Sequence, residues 1–570
     1  NLEAFKANYN TEDYQDILIR PFFHGNQYFL FVTETYNDIR LVGAPPSSIG
    51  KFGADTDNWE WPRHTGDFSL FRIYAGKDNK PADFSADNVP FKPRHHLPVS
   101  MDGVEADDFT LVFGFPGRTD EYLPAVAMEQ RVNVLNPIRI GIRDKSLAIL
   151  DEAMRNNPEA RIQYASKQAR IANGWKKWIG ESQGIEATDG IGRRKQMETK
   201  FRMLVKDKPE WQSAYGNILP QFNRLYQKIQ PFAESRDYIN EIMYRNVELF
   251  QLTATLRRIV KIYENNGIDV AAERIPRVKA YLESFYKNYN AVIDQEIAET
   301  LLQVYYTEVT ATHQAPYATD QLEFAGDNVE VLAQTIYAKS FLTKSELALK
   351  LINENPEGFI KQLQGDYAYQ FVTGILEFSK QEVFDNYNSS VRRIEQLQRK
   401  YIAALMEVFS DRRFYPDANS TMRVTYGKVD GYSVGDTLQF DFSTYLDGVI
   451  EKYVPGDYEF DVPEKLRELH DNKDYGPYTD EAGRVPVCFL GSNHTTGGNS
   501  GSPAIDANGN LIGLNFDRTW HGTMSDINYD AKICRNIMVD ARYILFIIDK
   551  FAGAGHLVEE MTLVHPKKED

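Results

Sequence analysis

The 570 residues carry 64 Lys and Arg against 81 Asp and Glu, a formal net charge of -17. That balance excludes a general nucleic-acid binder, which needs a basic face for phosphate. It also repels acidic ligands at long range, so an acidic substrate needs a cation placed locally in its site. Cys488 and Cys534 are the only cysteines and form no CxxC pair, which excludes a cysteine-based zinc site and a disulfide framework. One disulfide or two buried thiols both remain open.

The length gives two or three domains, and no apolar run is long enough to span a membrane. The first six residues, Asn1 to Lys6, read as the middle of a helix with no start signal. The chain is therefore expected to begin inside a longer protein, without a signal peptide of its own. From Gln27 to Tyr74 the pattern is strand-like. Tyr28–Val32, Ile39–Val42 and Phe68–Tyr74 are strand candidates, broken by Gly43-Ala44-Pro45-Pro46. Thr110–Phe115 is a further strand, ending at Pro116-Gly117. An all-β segment over 1–119 follows.

From about residue 120 the apolar period changes from two to 3.6. Leu249, Leu252, Leu256, Ile259 and Tyr263 share one helical face, with a stop at Asn265-Asn266-Gly267. Ile394, Leu397, Tyr401, Leu405 and Val408 form a second stripe. Both stripes are expected in a core. Tyr415-Pro416-Asp417 marks the return to strands, through Met422, Val424 and Tyr426, then Leu438, Phe440 and Phe442, then Val485–Leu490. Ala541–Lys550 is apolar on most sides and predicts a buried helix, and Pro566–Asp570 predicts a frayed tail. The order is β (1–119), α (120–416), β (417–570), most simply a helical insertion between two β modules.

One stretch carries chemistry: Thr495-Thr496-Gly497-Gly498-Asn499-Ser500-Gly501-Ser502-Pro503. A serine between glycines on a tight turn, just before a strand, is how chymotrypsin-like enzymes present a nucleophile. Gly498 permits a sharp turn, and the amides of Gly498 and Ser500 can converge where an oxyanion forms. Asn508-Gly509 reads as a two-residue hairpin turn leading into Leu511–Leu514. A serine nucleophile needs a base and an orienting acid. Asp67, after Gly66 at the start of a strand, is the candidate acid, against the simpler reading of a turn former. Among ten histidines, His24 lies 43 residues before Asp67 but lacks a small-residue turn around it. His64 and His494 read as surface or hydrogen-bonded histidines rather than as the base.

Three motifs settle the choice among these alternatives. Asn58-Trp59-Glu60-Trp61-Pro62-Arg63-His64-Thr65-Gly66-Asp67-Phe68, Thr495 through Pro503, and Asn515-Phe516-Asp517-Arg518 occur in order around a helical insertion. In these the chain closely resembles the dipeptidyl peptidases of serine peptidase family forty-six, over essentially its whole length. The resemblance implies a chymotrypsin-like double β-barrel with a large helical insertion capping the cleft. It makes Ser500 the nucleophile and Asp67 the triad acid. The family's base is the first His of an N-H-H-C-G-Y motif upstream of the acid, and the 570 residues contain no such motif.

The resemblance also assigns the substrate's free amine to Asn58, Trp59 and Asp517, with Asn173 from the helical segment. The residue-level alternatives are a helix C-cap for Asn173 and a surface ion pair for Asp517. Arg518, 18 residues after the serine, resembles the Asp/Glu-specific type of the family. A guanidinium grips a carboxylate in a bidentate pair; the alternative is a solvated surface arginine. Successive strand residues point to opposite faces, so Asp517 and Arg518 both serve one site only if the strand bends there.

The expected activity is release of dipeptides from free peptide N-termini, with Asp or Glu at P1 and no metal or organic cofactor. The resemblance further implies a homodimer in the periplasm of a Gram-negative bacterium. Three rivals stand beside this reading: the same enzyme with a hydrophobic P1 preference, a catalytically dead peptide binder, and an endopeptidase.

Overall fold

The structure is a computed structural model, which describes residues 5, 6, 9 and 11–567. The helix expected over Asn1–Lys6 falls mostly outside them, as do 568–570 of the expected frayed tail. Lys567, by contrast, is tied down, with its ammonium 2.9 Å from Asp108. The chain is mixed α/β and 54% helical. It divides into two compact units. One comprises 1–123, 180–193 and 398–570; the other comprises 124–179 and 194–397.

The first unit holds all the strands. β1 (Gln15–Phe22) and β2 (Gln27–Glu34) form an antiparallel hairpin. β3 (Asp38–Gly43), β4 (Leu70–Ala75) and β5 (Val89–Pro90) form a three-stranded sheet. β6 (Val99–Ser100) and β7 (Phe109–Gly114) precede the helical unit. After it come β8 (Arg423–Lys428), a small ribbon of β9 (Tyr432–Val434) and β10 (Leu438–Phe440), and β11 (Ser443–Tyr445). β12 (Pro486–Gly491), β13 (Ser502–Ile505), β14 (Leu511–Arg518), β15 (Asn536–Asp540) and β16 (Leu563–Val564) complete the set.

Nine of these strands make one sheet in the order β11-β12-β15-β14-β13-β7-β8, with β6 beside β14 and β16 beside β6. Among the described residues the strands do not close into a barrel. β12 and β15 are buried at every position, which explains the unbroken apolar run at Val485–Leu490: a strand covered on both faces has no polar face to alternate with. The helix at Ala541 is buried as expected, is capped by the Asp540 carboxylate at the Arg542 amide, and widens into a π turn over Ile547–Phe551.

The turn between β13 and β14 differs from the expected two-residue loop. It spans five residues, because the Asp506 carboxylate accepts from the amides of both Asn508 and Asn510 and organises a wider loop around Gly509. The expected helix stop at Gly267 also differs. Gly267 takes φ 79°, but the chain only kinks there and helical structure runs on to Ala272.

In the helical unit the first stripe packs as expected. Leu249, Leu252, Leu256 and Ile259 are buried in a core that includes Phe250, Ile297, Leu301 and Phe371. Its helix starts under a buried carboxylate: Asp294 accepts from the Glu248 and Leu249 amides at 2.6 and 2.9 Å. These are donors that the first turn cannot satisfy internally.

Candidate active site

The serine turn is built by contacts of the residues around Ser500. Asn499 is buried; its side chain accepts from the Thr496 amide at 3.0 Å, and its carbonyl accepts from the Ser502 amide at 3.0 Å and the Asn515 side chain at 3.2 Å. Gly501 donates its amide to the Asn515 carbonyl at 2.8 Å. Asn515 is itself held by Asn536, and Asn536 by the Asn493 amide. This buried amide chain pins the turn to β14 and β15 and leaves Ser500 exposed above it. Among the described residues the amides of Gly498 and Ser500 meet no backbone acceptor. Two unspent donors flanking the hydroxyl are what an oxyanion site requires.

Gly498 sits at φ +104°, and a Cβ there would lie 2.4 Å from the Phe115 carbonyl oxygen and 2.9 Å from the Gly117 amide. Only glycine fits both the angle and the space. The Phe115–Gly117 corner after β7 thus braces the serine turn, reinforced by the Gly117 amide donating to the Gly497 carbonyl at 2.7 Å.

The serine hydroxyl donates to the Phe516 carbonyl at 3.4 Å. That carbonyl is available because β14 is irregular at this point. Asn515 pairs with Met538 and Asp517 with Ile537, so Phe516 is an extra residue in the ladder. Such a bulge bends its strand and re-aims the side chains beyond it. It supplies the bend needed for Asp517 and Arg518 to depart from simple alternation.

Asp517 is not at the surface. Its carboxylate is 2.9 Å from Arg63, both side chains being about a tenth exposed. Its other oxygen accepts the Arg518 amide at 2.8 Å. Arg63 also donates to Thr65 Oγ1 at 2.6 Å and to the Asp57 carbonyl at 2.7 Å. The Arg63–Gly66 segment is buried and further fixed by Thr444 Oγ1 on the Arg63 carbonyl, with Gly66 making room for the Tyr543 ring. It emerges at Asp67, which is exposed. Protein crowding the Asp67 carboxylate raises its pKa; Arg63 opposes the rise and Asp517 adds to it. Asp67, Arg63 and Asp517 therefore share one electrostatic neighbourhood.

Arg518 corrects the surface alternative outright: it is 5% exposed. Its Nη1 donates to Asp526 at 2.7 Å, to Ser525 Oγ at 2.8 Å and to the Thr495 carbonyl at 3.4 Å. The guanidinium carbon lies 5.5 Å from the centre of the Trp59 ring, within cation–π range. Trp59 is held at φ 65°, unusual for a bulky residue, and such outliers persist where surrounding contacts over-determine them. Asn58 is half-buried beside it. The structure therefore groups Ser500, Asp517, Arg518 and Trp59 through direct contacts and chain adjacency, with Asp67 linked to Arg63 and Asp517 electrostatically.

Asn173 belongs to the other unit. It is exposed within the continuous helix Pro158–Ala187, so it is not a helix C-cap. Gly174 follows it because the Arg143 guanidinium, which pairs with Glu241 at 2.8 Å, occupies the space of a Cβ.

The histidines divide by environment. His24 pairs with Asp417 at 3.3 Å rather than with Asp67. His494 is half-buried and donates Nε2–H to the Ser525 carbonyl at 2.8 Å; crowding by the surrounding protein lowers its pKa, and Arg518 adds to that. His64 is neither at the surface nor hydrogen-bonded. It is 6% exposed, its Nδ1 has no partner among the described residues, and burial, with Lys452 adding, lowers its pKa to about 3. Sequence reasoning missed Arg63 and Asp526 as partners of the two residues it singled out. Arg63 lay inside a quoted motif, four residues before Asp67. Asp526 carried no signal, since its proximity depends on the 3-10 helical segment Trp520–Asp526 folding back on β14.

Residues 1–563 match the Peptidase S46 family. The chain is 50% identical over 568 residues to the Asp/Glu-specific dipeptidyl-peptidase of Flavobacterium psychrophilum, covering 100% of this chain and 78% of that protein. It is 49% identical over 554 residues to the protein of the same name from Capnocytophaga gingivalis, covering 97% and 77%. The fold matches the crystal structure of Porphyromonas endodontalis DPP11 in complex with the dipeptide Arg-Glu. There the TM-score is 0.84 and the identity 31%, covering 98% of this chain and 79% of that one. The chain belongs to the Peptidase S46 family.

Proposed function

We propose that this protein is a serine dipeptidyl peptidase that releases dipeptides from free peptide N-termini and prefers Asp or Glu at P1. The family, the printed names of its relatives and the dipeptide-bound neighbour support the activity. The single observation that carries the acid preference is Arg518, a buried guanidinium on the bulged end of the strand that accepts the Ser500 hydroxyl.

In the proposed reaction Ser500 attacks the P1 carbonyl carbon, and the Gly498 and Ser500 amides receive the developing oxyanion. A histidine base takes the serine proton and returns it to the leaving amine, while Asp67 fixes the imidazole tautomer. Water then hydrolyses the dipeptidyl ester. The substrate ammonium is held by Asp517 with Asn58 and Trp59, and Asn173 is assigned to the same group from the family resemblance alone. An ammonium offers three donors, and the anionic Asp517 beside amide oxygens suits it. Anchoring the amine sets the distance to the serine at two residues.

A chymotrypsin-like relation between the β segments 1–119 and 417–570, with 120–416 as an insertion, belongs to the proposal. The support is the serine turn, the hairpin β13–β14 behind it and Asp67 ahead of β4. Periplasmic residence and a homodimer are proposed on family kinship. Among the described residues no helix is long and apolar enough to cross a membrane.

The test is a pair of peptides ending their first dipeptide in Glu, one with a free amine and one N-acetylated, incubated with the enzyme encoded by the intact gene. Mass spectrometry is expected to show dipeptide released from the free peptide alone. Equal cleavage of both would make the enzyme an endopeptidase and remove Asp517 from the amine site. Ser500→Ala is expected to abolish release.

A further inference from the structure

Arg518, proposed to bind the P1 side chain, is already half-engaged within the protein. A guanidinium presents a side-on edge, Nε with Nη2, and an end-on edge that includes Nη1. Among the described residues, all the side-chain hydrogen bonds of Arg518 run from Nη1, to Asp526 Oδ1 at 2.7 Å, Ser525 Oγ at 2.8 Å and the Thr495 carbonyl at 3.4 Å. Nε and Nη2 bond to nothing among the described residues. The side-on edge is therefore the uncommitted one, and it suits bidentate pairing with a carboxylate.

Asp526 is itself buried and doubly engaged. The same Oδ1 accepts Thr496 Oγ1 at 2.6 Å. Thr496 in turn takes Asn499 Oδ1 on its amide, one residue before the nucleophile. One carboxylate oxygen thus ties the guanidinium plane to the serine turn. It also places a negative charge beside the cation that has to receive a second one.

We propose that Asp526 is a positioning residue for P1 specificity. It locks Arg518 with its Nε–Nη2 edge outward, and its charge limits how tightly that edge holds the P1 carboxylate. The arrangement restrains product retention: a fully uncompensated buried arginine would hold an acidic dipeptide product more strongly, and like charges sharing a cation oppose each other. This inference rests on the reading of Arg518 as the group that binds the P1 side chain.

Two substitutions separate geometry from charge. Asp526→Asn keeps an oxygen acceptor for Arg518 and Thr496 and removes the charge. Asp526→Ala removes both. Each variant is assayed with paired fluorogenic substrates carrying Glu or Met at P1, with KM and kcat read separately. Asp526→Asn is expected to lower KM for the Glu substrate about 3- to 10-fold and to leave KM for the Met substrate within about 2-fold. Asp526→Ala is expected to lower kcat/KM for Glu at least about 10-fold, with Met within about 3-fold. Equal losses on both substrates in either variant would make Asp526 a purely structural support and overturn the inference. So would an Asp526→Asn variant that loses Glu activity as the alanine variant does. Arg518→Ala serves as the separate control. If it retains a preference for Glu, the P1 assignment itself fails; if it loses that preference while Asp526→Ala keeps it, only the role of Asp526 fails.

Discussion

Ser500 gains its setting from residues that are not themselves reactive. Asn499 and Asn515 spend their polar atoms on the turn, and Gly498 supplies a backbone angle that other residues adopt only under strain. Gly498→Ala is expected to lower kcat by roughly 100-fold or more, because its Cβ would displace the Phe115 corner and turn the amide away from the oxyanion. Steady-state assays on a variant shown folded by circular dichroism check this, and kcat within threefold of the parent would contradict it. The serine and its glycines were singled out because their residue types are tied to local geometry, and the Asp517-Arg518 pair because of the family resemblance. Burial of Arg518 was not legible. Its counterion is eight residues further on, and only the path of Trp520–Asp526 shows that the two meet.

Elements were legible where periodicity governed them. β2, β3, β4, β7 and β8 fall on the expected stretches, and both helical stripes lie on long helices. The bulge at Phe516 was not legible, because an extra residue in one strand is defined only by its partner β15. β15 is five residues long with polar ends, Asn536 and Asp540, whose partners lie on other segments. The loop before Asp67 and the short helix Leu446–Glu451 show tight packing of another kind. His64 lies where a Cβ on Gly448 would come within 2.1 Å of its Nε2.

Burial of His64, with the Lys452 charge nearby, fixes a pH dependence. The pKa of His64 is about 3 in the folded protein and near 6.5 when the chain is unfolded. Below about pH 6.5 the unfolded state therefore binds a proton that the folded state refuses. Stability is complete above that value and declines as pH falls from about 6.5 towards 3, by an amount on the order of a few kcal/mol. Urea unfolding at pH 7 and pH 5 is expected to give a smaller loss for His64→Gln than for the parent. An identical loss in both would contradict the role of His64.

At the scale of the molecule, the acidic balance and the proposed substrate conflict. A net charge of -17 opposes the approach of an acidic peptide, chiefly within a Debye length, about 8 Å at physiological salt. In the proposed site, recognition then falls to one buried cation, Arg518, with Asp517 assigned to the amine end of the peptide. The sequence shows a change of period near residue 120 and a return near 417, whereas the two compact units divide at 123/124 and 397/398. The return of 180–193 to the β unit was not legible, because the helix Pro158–Ala187 runs on unbroken and only packing, such as Gly180 against Trp520, reveals it.

The most direct measurement is the ratio of kcat/KM for P1-Glu over P1-Met dipeptide substrates in the parent and in Arg518→Gly. The parent is expected to favour Glu by at least about 100-fold, and the glycine variant to lose that preference or reverse it, through a fall in Glu turnover with Met cleavage retained. A glycine variant that still selects Glu would mean that another group reads the acid and that the buried guanidinium of Arg518 serves only to hold the turn.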